Sequence, residues 1–153
     1  METRFRFRRA ANYINLATPL GLLVSFIGGA TRQSGPNGLI LAFGYRYRFP
    51  IAGAFTVGNV VLTRWNALDD RLILHEDRHA TQWAWCVGLP MLPLYLLSML
   101  VSVLVCGHQA SYNVFERLAD LEDGGYPRAA LWWRRRKSVC KGRGSAARRL
   151  PPA

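Results

Sequence analysis

The sequence predicts an α+β fold, in which a small antiparallel sheet or hairpin packs on a helical bundle. Two segments, 39–49 and 55–63, are rich in β-branched and aromatic residues and have the length of strands. Longer apolar segments between residues 69 and 122 are separated by glycine and proline and have the length of helices. Half of the 153 residues are apolar, which is enough material for one small core.

An N-terminal helix and a turn-rich loop come first. Thr18 and Pro19 predict a helix start, with threonine as the N-cap and proline at the first helical position. The paired glycines 28–29 end this helix. It holds about a dozen residues, fewer than the roughly twenty that a bilayer crossing needs. Residues 32–38 (RQSGPNG) then predict a loop.

The two predicted strands follow this loop. In the first, Leu39–Phe49, tyrosines alternate with arginines near the end, and Pro50 stops the strand. The second strand is Phe55–Thr63 (FTVGNVVLT). Gly58 lies inside it and indicates either a bulge or a close approach of another backbone segment.

Three helices form the predicted bundle. Asp69 and Asp70 place negative charge at the start of the first helix, which runs to Gly88. Two prolines then interrupt the chain before an apolar helix at Leu94–Cys106. A last helix is expected at Gln109–Glu122, followed by a glycine pair that ends it.

The net charge of +11 is concentrated at the chain ends. Residues 1–9 carry a charge of +3 and form a predicted basic N-terminal arm, whereas residues 134–153 carry +8 and form a predicted disordered tail. Residues 10–133, the predicted domain, are neutral overall. Basic ends are typical of solvated arms or of attraction to an anionic membrane surface. A nucleic-acid partner is disfavoured, because the neutral middle offers no basic face and no recognisable nucleic-acid motif.

The segment His75-Glu-Asp-Arg-His79 carries the clearest chemical pattern. On a helix, positions i and i+4 share a face, so both imidazoles can reach one metal ion, and zinc accepts neutral imidazole readily. Glu76 lies beside that face, where a carboxylate can take a proton from a zinc-bound water. The pattern predicts a zinc site with Glu76 as the catalytic base.

A third protein ligand is required, because two histidines leave zinc under-coordinated. Gln82 and Trp85 stand where a metzincin would have glycine and histidine, which excludes that arrangement. Glu116 and Asp120 are another i, i+4 pair on a predicted helix. We expect Glu116 to bind the metal and the Asp120 carboxylate to accept the free N–H of a ligand histidine.

These residues carry a resemblance to known families. His75-Glu-x-x-His79 with Glu116-x-x-Ala119-Asp120 resembles the motifs of gluzincin metallopeptidases, in particular the membrane-linked prenyl-protein and HtpX-like proteases. The stretch that begins Ala54-Phe-Thr-Val-Gly58 is similar to small metallopeptidase domains with an A-x-T-x-G…HE-x-x-H-x-x-Q pattern, found with bacterial contractile injection systems. Together the matches cover roughly residues 54–125.

The resemblance implies a minimal zincin-like metallopeptidase domain that hydrolyses peptide bonds. It implies that the strand before the motif helix is an edge strand able to hold an extended peptide. It also implies a His or Tyr that stabilises the transition state, for which Tyr95, His108 and Tyr112 are the candidates. The alternative is a catalytically inactive zincin-like module that binds a partner protein or anionic lipid.

A membrane location depends on the segment Val87–Cys106, which is about twenty mostly apolar residues. A straight crossing would put His79 and Glu116 on opposite sides of the bilayer, where they could not share an ion. We therefore expect Leu94–Cys106 either to pack as core or to dip into the membrane, with the basic ends and the site on the cytoplasmic side. A cytoplasmic protein and an integral membrane protein are the alternatives.

Overall fold

The computed structural model describes residues 2–48 and 53–134. The fold is α+β, as predicted, with helices around a small sheet. The described helices are α1 (Thr3–Ile14), α2 (Ala17–Ile27), α3 (Asp70–Trp85), α4 (Met91–Cys106) and α5 (Val114–Leu118), with a 3-10 turn at Pro36–Gly38. The described strands are β1 (Thr31–Ser34), β2 (Ile40–Phe43), β3 (Ala54–Val57) and β4 (Val60–Thr63). The predicted tail lies outside the described residues, apart from its first residue.

The sheet has four strands in the order β1-β2-β4-β3 and is mixed. Two antiparallel hairpins, β1–β2 and β3–β4, are joined by a parallel pairing of β2 with β4. The expected antiparallel sheet is therefore corrected, because β3 lies at the outer edge and β4 returns beside β2 in the same direction. The strand directly before the motif helix is β4, an inner strand; the two edge strands are β1 and β3.

Gly58 explains why the predicted strand 55–63 is a hairpin instead. Its φ of +63° places it in the left-handed region, in a two-residue turn between β3 and β4. A Cβ at this position would lie 2.4 Å from the backbone nitrogen of Thr18. The close approach of another backbone is thus confirmed, and it brings the start of α2 onto the turn.

The inner part of the sheet is buried on both faces, whereas all four residues of β1 are exposed. One face packs on α3, through a cluster that includes Leu39, Val61 and Ala80. The other packs on α2, through a cluster that includes Val60 and Leu62. All four residues of β4 are buried, because this strand lies under helices on both sides. The motif helix α3 is thereby fixed against a rigid support.

Residues 3–9, for which the sequence suggested a basic arm, form the first half of α1. Arg8 is buried, and its Nη1 lies 2.7 Å from Oδ1 of Asp77 on the motif helix. The other guanidinium nitrogen, Nη2, donates to the carbonyl of Asn37 at 2.8 Å. The folded part of the chain therefore includes α1 and is held to α3 through a buried ion pair.

The helix expected at Gln109–Glu122 is reduced to the five residues of α5. In the segment before α5, a side chain forms hydrogen bonds with backbone groups that a helix would use. Nδ1 of His108 accepts from the backbone N–H groups of Ala110 and Ser111. Such local contacts compete with helix formation. Asp120 has φ +71°, which ends the helical stretch soon after α5.

Among the helices of the described ranges, none is long and apolar enough to cross a membrane by itself. The helices α1 and α2 meet the length and composition criteria only as a pair, bent by 72°. Helix α4 contributes little to the core: only Met91, Ser102 and Cys106 are buried, and Met91 packs with Ala17 and Trp83.

Candidate metal centre

Helix α3 presents the two motif histidines side by side. His75 and His79 are one turn apart, both are buried, and their ring centroids are 4.6 Å apart. Ala80 and Trp83, on the same helix, are buried in apolar clusters and anchor it to the rest of the fold. The helix face that carries the imidazoles is thus held in place by neighbouring core residues.

Helix α5 brings the third side chain to the same point. The Asn113 side chain caps this short helix by accepting from the backbone N–H of Phe115 at 3.1 Å. The Gln82 amide of α3 donates to the Phe115 carbonyl at 2.8 Å and ties the two helices together. Glu116, one residue further along α5, is buried and lies against both histidines.

The three side chains converge as the sequence predicted. The two Nε2 atoms of His75 and His79 are 3.0 Å apart. Oε2 of Glu116 lies 3.1 Å from Nε2 of His75 and 3.6 Å from Nε2 of His79. One ligand atom from each residue lies within 4.8 Å of the others, so this buried group could hold a metal ion.

Neighbouring acceptors determine which ring nitrogen of each imidazole carries the hydrogen. Nδ1 of His75 faces the backbone carbonyls of Ala119 and Asp120 at 3.0 and 2.9 Å, and must therefore donate. Nδ1 of His79 lies 2.8 Å from Oε1 of Gln82, whose amide nitrogen is used elsewhere, so it donates as well. In the neutral ring the opposite nitrogen then has a free lone pair. Both Nε2 atoms are consequently acceptors that point at each other.

Glu116 Oε2 completes a set of acceptors that lacks a donor. This buried oxygen has no hydrogen-bond partner among the described residues. Three electron-rich atoms at contact distance repel one another unless a cation lies between them. A metal ion satisfies all three at once, which is the fit that the donor set indicates.

Without a metal, a proton is the cation that relieves this repulsion. Burial alone would lower the pKa of His79, but the nearby carboxylates of Glu116 and Glu76 outweigh burial and raise it. Burial likewise opposes ionisation of Glu116, yet the two histidine rings beside it hold the pKa of this carboxyl well below its usual range. The group therefore favours one negative charge close to one positive charge.

Glu76 lies in the same buried region and is positioned by β3. Its Oε2 accepts a hydrogen bond from the Thr56 hydroxyl at 2.7 Å. Burial raises the pKa of Glu76, against the opposing charges of the two histidines. The Thr56 backbone carbonyl accepts a further hydrogen bond from the Trp83 indole at 2.8 Å. Thr56 thus links the edge strand to the motif helix at two points.

The loop after α5 covers the face of His75. Arg78 of the motif helix holds this loop, with Nη1 2.8 Å from the Ala119 carbonyl and 2.7 Å from Oδ2 of Asp123. A Cβ at Gly124 would lie 2.6 Å from Cε1 of His75 and 2.9 Å from each ring nitrogen. Only glycine allows the loop to approach the imidazole this closely.

We call the side chains of His75, His79 and Glu116 the metal group, since they could hold a metal ion. Two tyrosines complete its surroundings. The Tyr95 hydroxyl donates to Oε1 of Glu116, and its ring centroid lies 6.4 Å from that of His79. The Tyr126 ring centroid lies 5.9 Å from that of His75. Burial and the charge of Glu116 raise the pKa of both phenols, which keeps them protonated at neutral pH.

The structure places the remaining sequence candidates elsewhere. The Asp120 carboxylate accepts from the backbone N–H of Glu122, and it is the Asp120 carbonyl that faces His75, which corrects the expected side-chain contact. His108 accepts backbone hydrogen bonds in its own loop and packs 6.4 Å from the Tyr126 ring. The Tyr112 ring packs against the Arg117 guanidinium at 5.5 Å. Of the three candidates for a stabilising group, Tyr95 is the one in contact with the ligand set.

Sequence analysis missed three contributors: Thr56, Gly124 and Tyr126. The A-x-T-x-G segment places Thr56 in a strand and gives no sign of its contact with Glu76. The sequence predicts a helix end at Gly124, and the steric role of this glycine depends on a loop fold that local sequence does not encode. Tyr126 is an isolated aromatic residue after that loop, without a pattern that would indicate its position.

Comparison of the chain with protein families, with curated proteins and with solved structures finds no match.

Proposed function

We propose that the chain is a zinc-dependent metallopeptidase that hydrolyses peptide bonds. The observation that carries the proposal is the buried convergence of one ligand atom each from His75, His79 and Glu116, in which Glu116 Oε2 has no hydrogen-bond partner among the described residues. A second carboxylate, Glu76, lies beside this set and is held by its own hydrogen bond to Thr56. Metal ligands together with a positioned base are the groups that metal-assisted hydrolysis requires.

The spacing of the acceptors favours zinc. A tetrahedral ion with bonds of about 2.0–2.1 Å places its ligand atoms about 3.3 Å apart. The three separations here are 3.0, 3.1 and 3.6 Å. Two imidazole nitrogens and one carboxylate oxygen form a donor set typical of catalytic zinc, whereas calcium and magnesium prefer oxygen alone. Three protein ligands also leave the fourth position for water or substrate.

Glu76 is the residue that we assign to proton transfer. A zinc ion held by the three ligands would supply a Lewis acid and a bound water of lowered pKa. Glu76 follows His75 directly on α3, so its carboxylate lies next to the helix face that carries the two histidines. It is not itself one of the three candidate ligands. We assign it the role of general base, which takes a proton and later returns it to the leaving amine. The Thr56 hydroxyl keeps one carboxylate oxygen in a fixed position for this role.

The edge strand β3 is the proposed contact for an extended peptide substrate. Its outer side faces away from β4, and an extended chain can pair with such an edge. The Trp83 indole already uses the Thr56 carbonyl. We therefore expect the peptide backbone to form its hydrogen bonds with the Ala54 end of β3. The Thr56 carbonyl does not take part, because it already accepts from Trp83.

The experiment is elemental analysis of the purified protein together with a peptide-cleavage assay followed by mass spectrometry. We expect about one zinc per chain, loss of zinc in His79→Ala, and retained zinc with loss of cleavage in Glu76→Gln. Glu122→Gln is the matched control, because this carboxylate is exposed and pairs with Arg128 on the surface. Failure to bind zinc would contradict the site, and full cleavage by Glu76→Gln would contradict the role of Glu76.

The alternative, an inactive module that keeps the fold, is separated by the same measurements. Such a module keeps the fold, with or without zinc, and cleaves no peptide even when Glu76 is unchanged. The position of Glu76 favours the active form, because a buried carboxyl with a raised pKa beside a set of metal ligands is typical of functional sites.

A further inference from the structure

Helix α4 has its polar and apolar faces reversed with respect to a water-soluble protein. The polar side chains Tyr95, Ser98 and Ser102 recur at helical spacing and all point into the protein. Ser98 accepts from the backbone N–H of Val114 at 2.8 Å, and Ser102 accepts from that of Tyr112 at 2.8 Å. A surface helix in water normally turns such residues outward and buries its leucines.

The outward face of α4 consists of apolar side chains only. It covers more than half of the helix circumference, at 100° per residue, and has no serine, amide or charged group. Its exposed residues are Leu92, Pro93, Leu94, Leu96, Leu97, Leu100, Val101, Val103 and Leu104. We call this the outer face of α4. An exposed apolar face of this extent indicates a partner that is itself apolar.

Tryptophans lie at both ends of this helix. Trp85, just before α4, is 83% exposed, the highest exposure among the large apolar side chains of the described residues. At the other end, a Cβ at Gly107 would lie 2.7 Å from the Trp132 ring, and Trp133 and Arg134 follow directly. Tryptophan and arginine are enriched where an apolar membrane layer meets water.

Two turns extend the apolar surface beyond the start of α4. Leu16 and Val87 have φ values of +64° and +55°, and both side chains are exposed. The turns touch, since a Cβ at Gly88 would lie 2.8 Å from the Asn15 carbonyl. A left-handed conformation is costly for a β-branched residue such as valine. Here it directs an apolar side chain to the outside, where an external apolar contact would offset part of the cost.

The charge of the chain favours lipid as that contact. Residues 2–48 contain seven arginines and a single acid, Glu2. Arg4, Arg6 and Arg9 are exposed on α1, the helix that ends at the turn beside α4. A second copy of this chain would carry the same positive charge and be repelled, whereas anionic lipid headgroups attract it.

We propose that the outer face of α4 inserts into the interfacial layer of an anionic lipid bilayer, with Trp85 and the turns at Leu16 and Val87 entering beside it. At 16 residues, α4 is about 24 Å long, which is short of the roughly 30 Å hydrocarbon layer, so it lies in the surface and does not cross. The polar row of Tyr95, Ser98 and Ser102 stays turned to the protein. The inference is independent of the metal chemistry.

The test is flotation of the full-length protein with vesicles of phosphatidylcholine and phosphatidylserine. The triple variant Leu96→Gln, Leu100→Gln, Leu104→Gln removes a central row of the outer face, and we expect its vesicle binding to fall about tenfold or more. The control triple Leu23→Gln, Phe26→Gln, Ile27→Gln removes exposed apolar side chains of α2 and keeps binding. Circular dichroism and thermal unfolding check that both triples remain folded.

Three outcomes would overturn the proposal. Equal loss of binding in both triples would deny α4 its special role. Full binding by the α4 triple would show that the face does not insert. Concentration-dependent dimerisation without vesicle binding would identify a second copy as the occupant. Brominated lipids add a positional readout, since they should quench the fluorescence of the parent protein more strongly than that of Trp85→Phe.

Discussion

The Tyr95 hydroxyl donates to one carboxylate oxygen of Glu116, while the other oxygen of Glu116 faces His75 and His79. The two oxygens thus have separate tasks: Oε1 is anchored, and Oε2 remains without a donor. Hydrogen bonds of this kind orient a metal ligand and fix which atom it presents. Tyr95 is in this respect a positioning residue for the metal group.

Replacing Tyr95 by phenylalanine removes the hydroxyl and leaves the ring in place. We expect zinc affinity to fall about 10- to 100-fold, the usual cost of losing a group that orients a ligand. Competition with a chromophoric chelator measures the change. Tyr112→Phe is the control, because its ring packs on Arg117 and does not contact the ligands. An unchanged affinity in Tyr95→Phe would show that Glu116 is oriented without this hydrogen bond.

Gly124 tests how tightly the loop after α5 confines His75. In Gly124→Ala the new methyl group would lie 2.6 Å from Cε1 of His75, so the ring or the loop must move. We expect the free energy of zinc binding to weaken by more than the free energy of unfolding of the metal-free protein. Gly125→Ala is the comparison: it introduces backbone strain at φ +70°, but its Cβ meets no atom within 4 Å. Equal zinc affinity in the two variants would contradict the steric role of Gly124.

The metal-free and zinc-loaded forms should respond to pH in opposite directions. The pKa of His79 is raised in the folded chain, so its proton contributes stability below the ordinary histidine pKa. That contribution is lost as the pH rises through the raised value, and metal-free protein should then unfold more easily. Zinc needs the deprotonated ring, so zinc affinity should rise over the same window.

Thermal unfolding and chelator competition between about pH 5 and 8 cover this window. Both signs are required. A metal-free protein whose stability increases steadily with pH would contradict the protonated histidine. A zinc affinity independent of pH would argue against histidine ligands. Glu116 adds no slope here, because its pKa is held well below the usual range.

The buried pair of Arg8 and Asp77 predicts a large effect on stability. Its side chains are 4% and 10% exposed, so Arg8→Ala leaves a buried, unpaired carboxylate. We expect a loss of about 3–5 kcal/mol in the free energy of unfolding, measured by urea denaturation. Arg6→Ala removes the same charge from the exposed face of α1 and should cost less than about 0.5 kcal/mol. Similar losses in the two variants would mean that net charge is the cause.

Local sequence patterns predict the two histidines of the candidate metal site, because these residues lie at helical i, i+4 positions and short-range spacing determines which face they share. His75 and His79 are one turn apart, and Glu116 follows on the next amphipathic segment. The same patterns missed the hairpin at Gly58, since the turn is fixed by the backbone of Thr18, forty residues earlier in the chain. Contacts at long sequence separation are not encoded in local periodicity.

Arg8 shows the same limit at the chain terminus. A run of arginines near an end is typical of a solvated arm, and three members of the run are exposed as expected. The fourth, Arg8, is buried against Asp77, a residue beside the catalytic candidate Glu76. Only the tertiary position of α1 against α3 distinguishes it from its neighbours.

The two faces of α4 set a distance between the metal group and whatever covers the helix outside. Tyr95 reaches Glu116 from the inner side, while leucines occupy the outer side of the same helix. One helix with its side chains is about 10 Å thick. If the outer face rests on lipid, the metal group lies about 10 Å from the bilayer. An extended chain covers this distance in about three residues, so a peptide bond three residues from a membrane anchor could reach the metal group. Soluble loops distant from any membrane would then be poor substrates, and the stretch of chain just outside a transmembrane segment would be a good one.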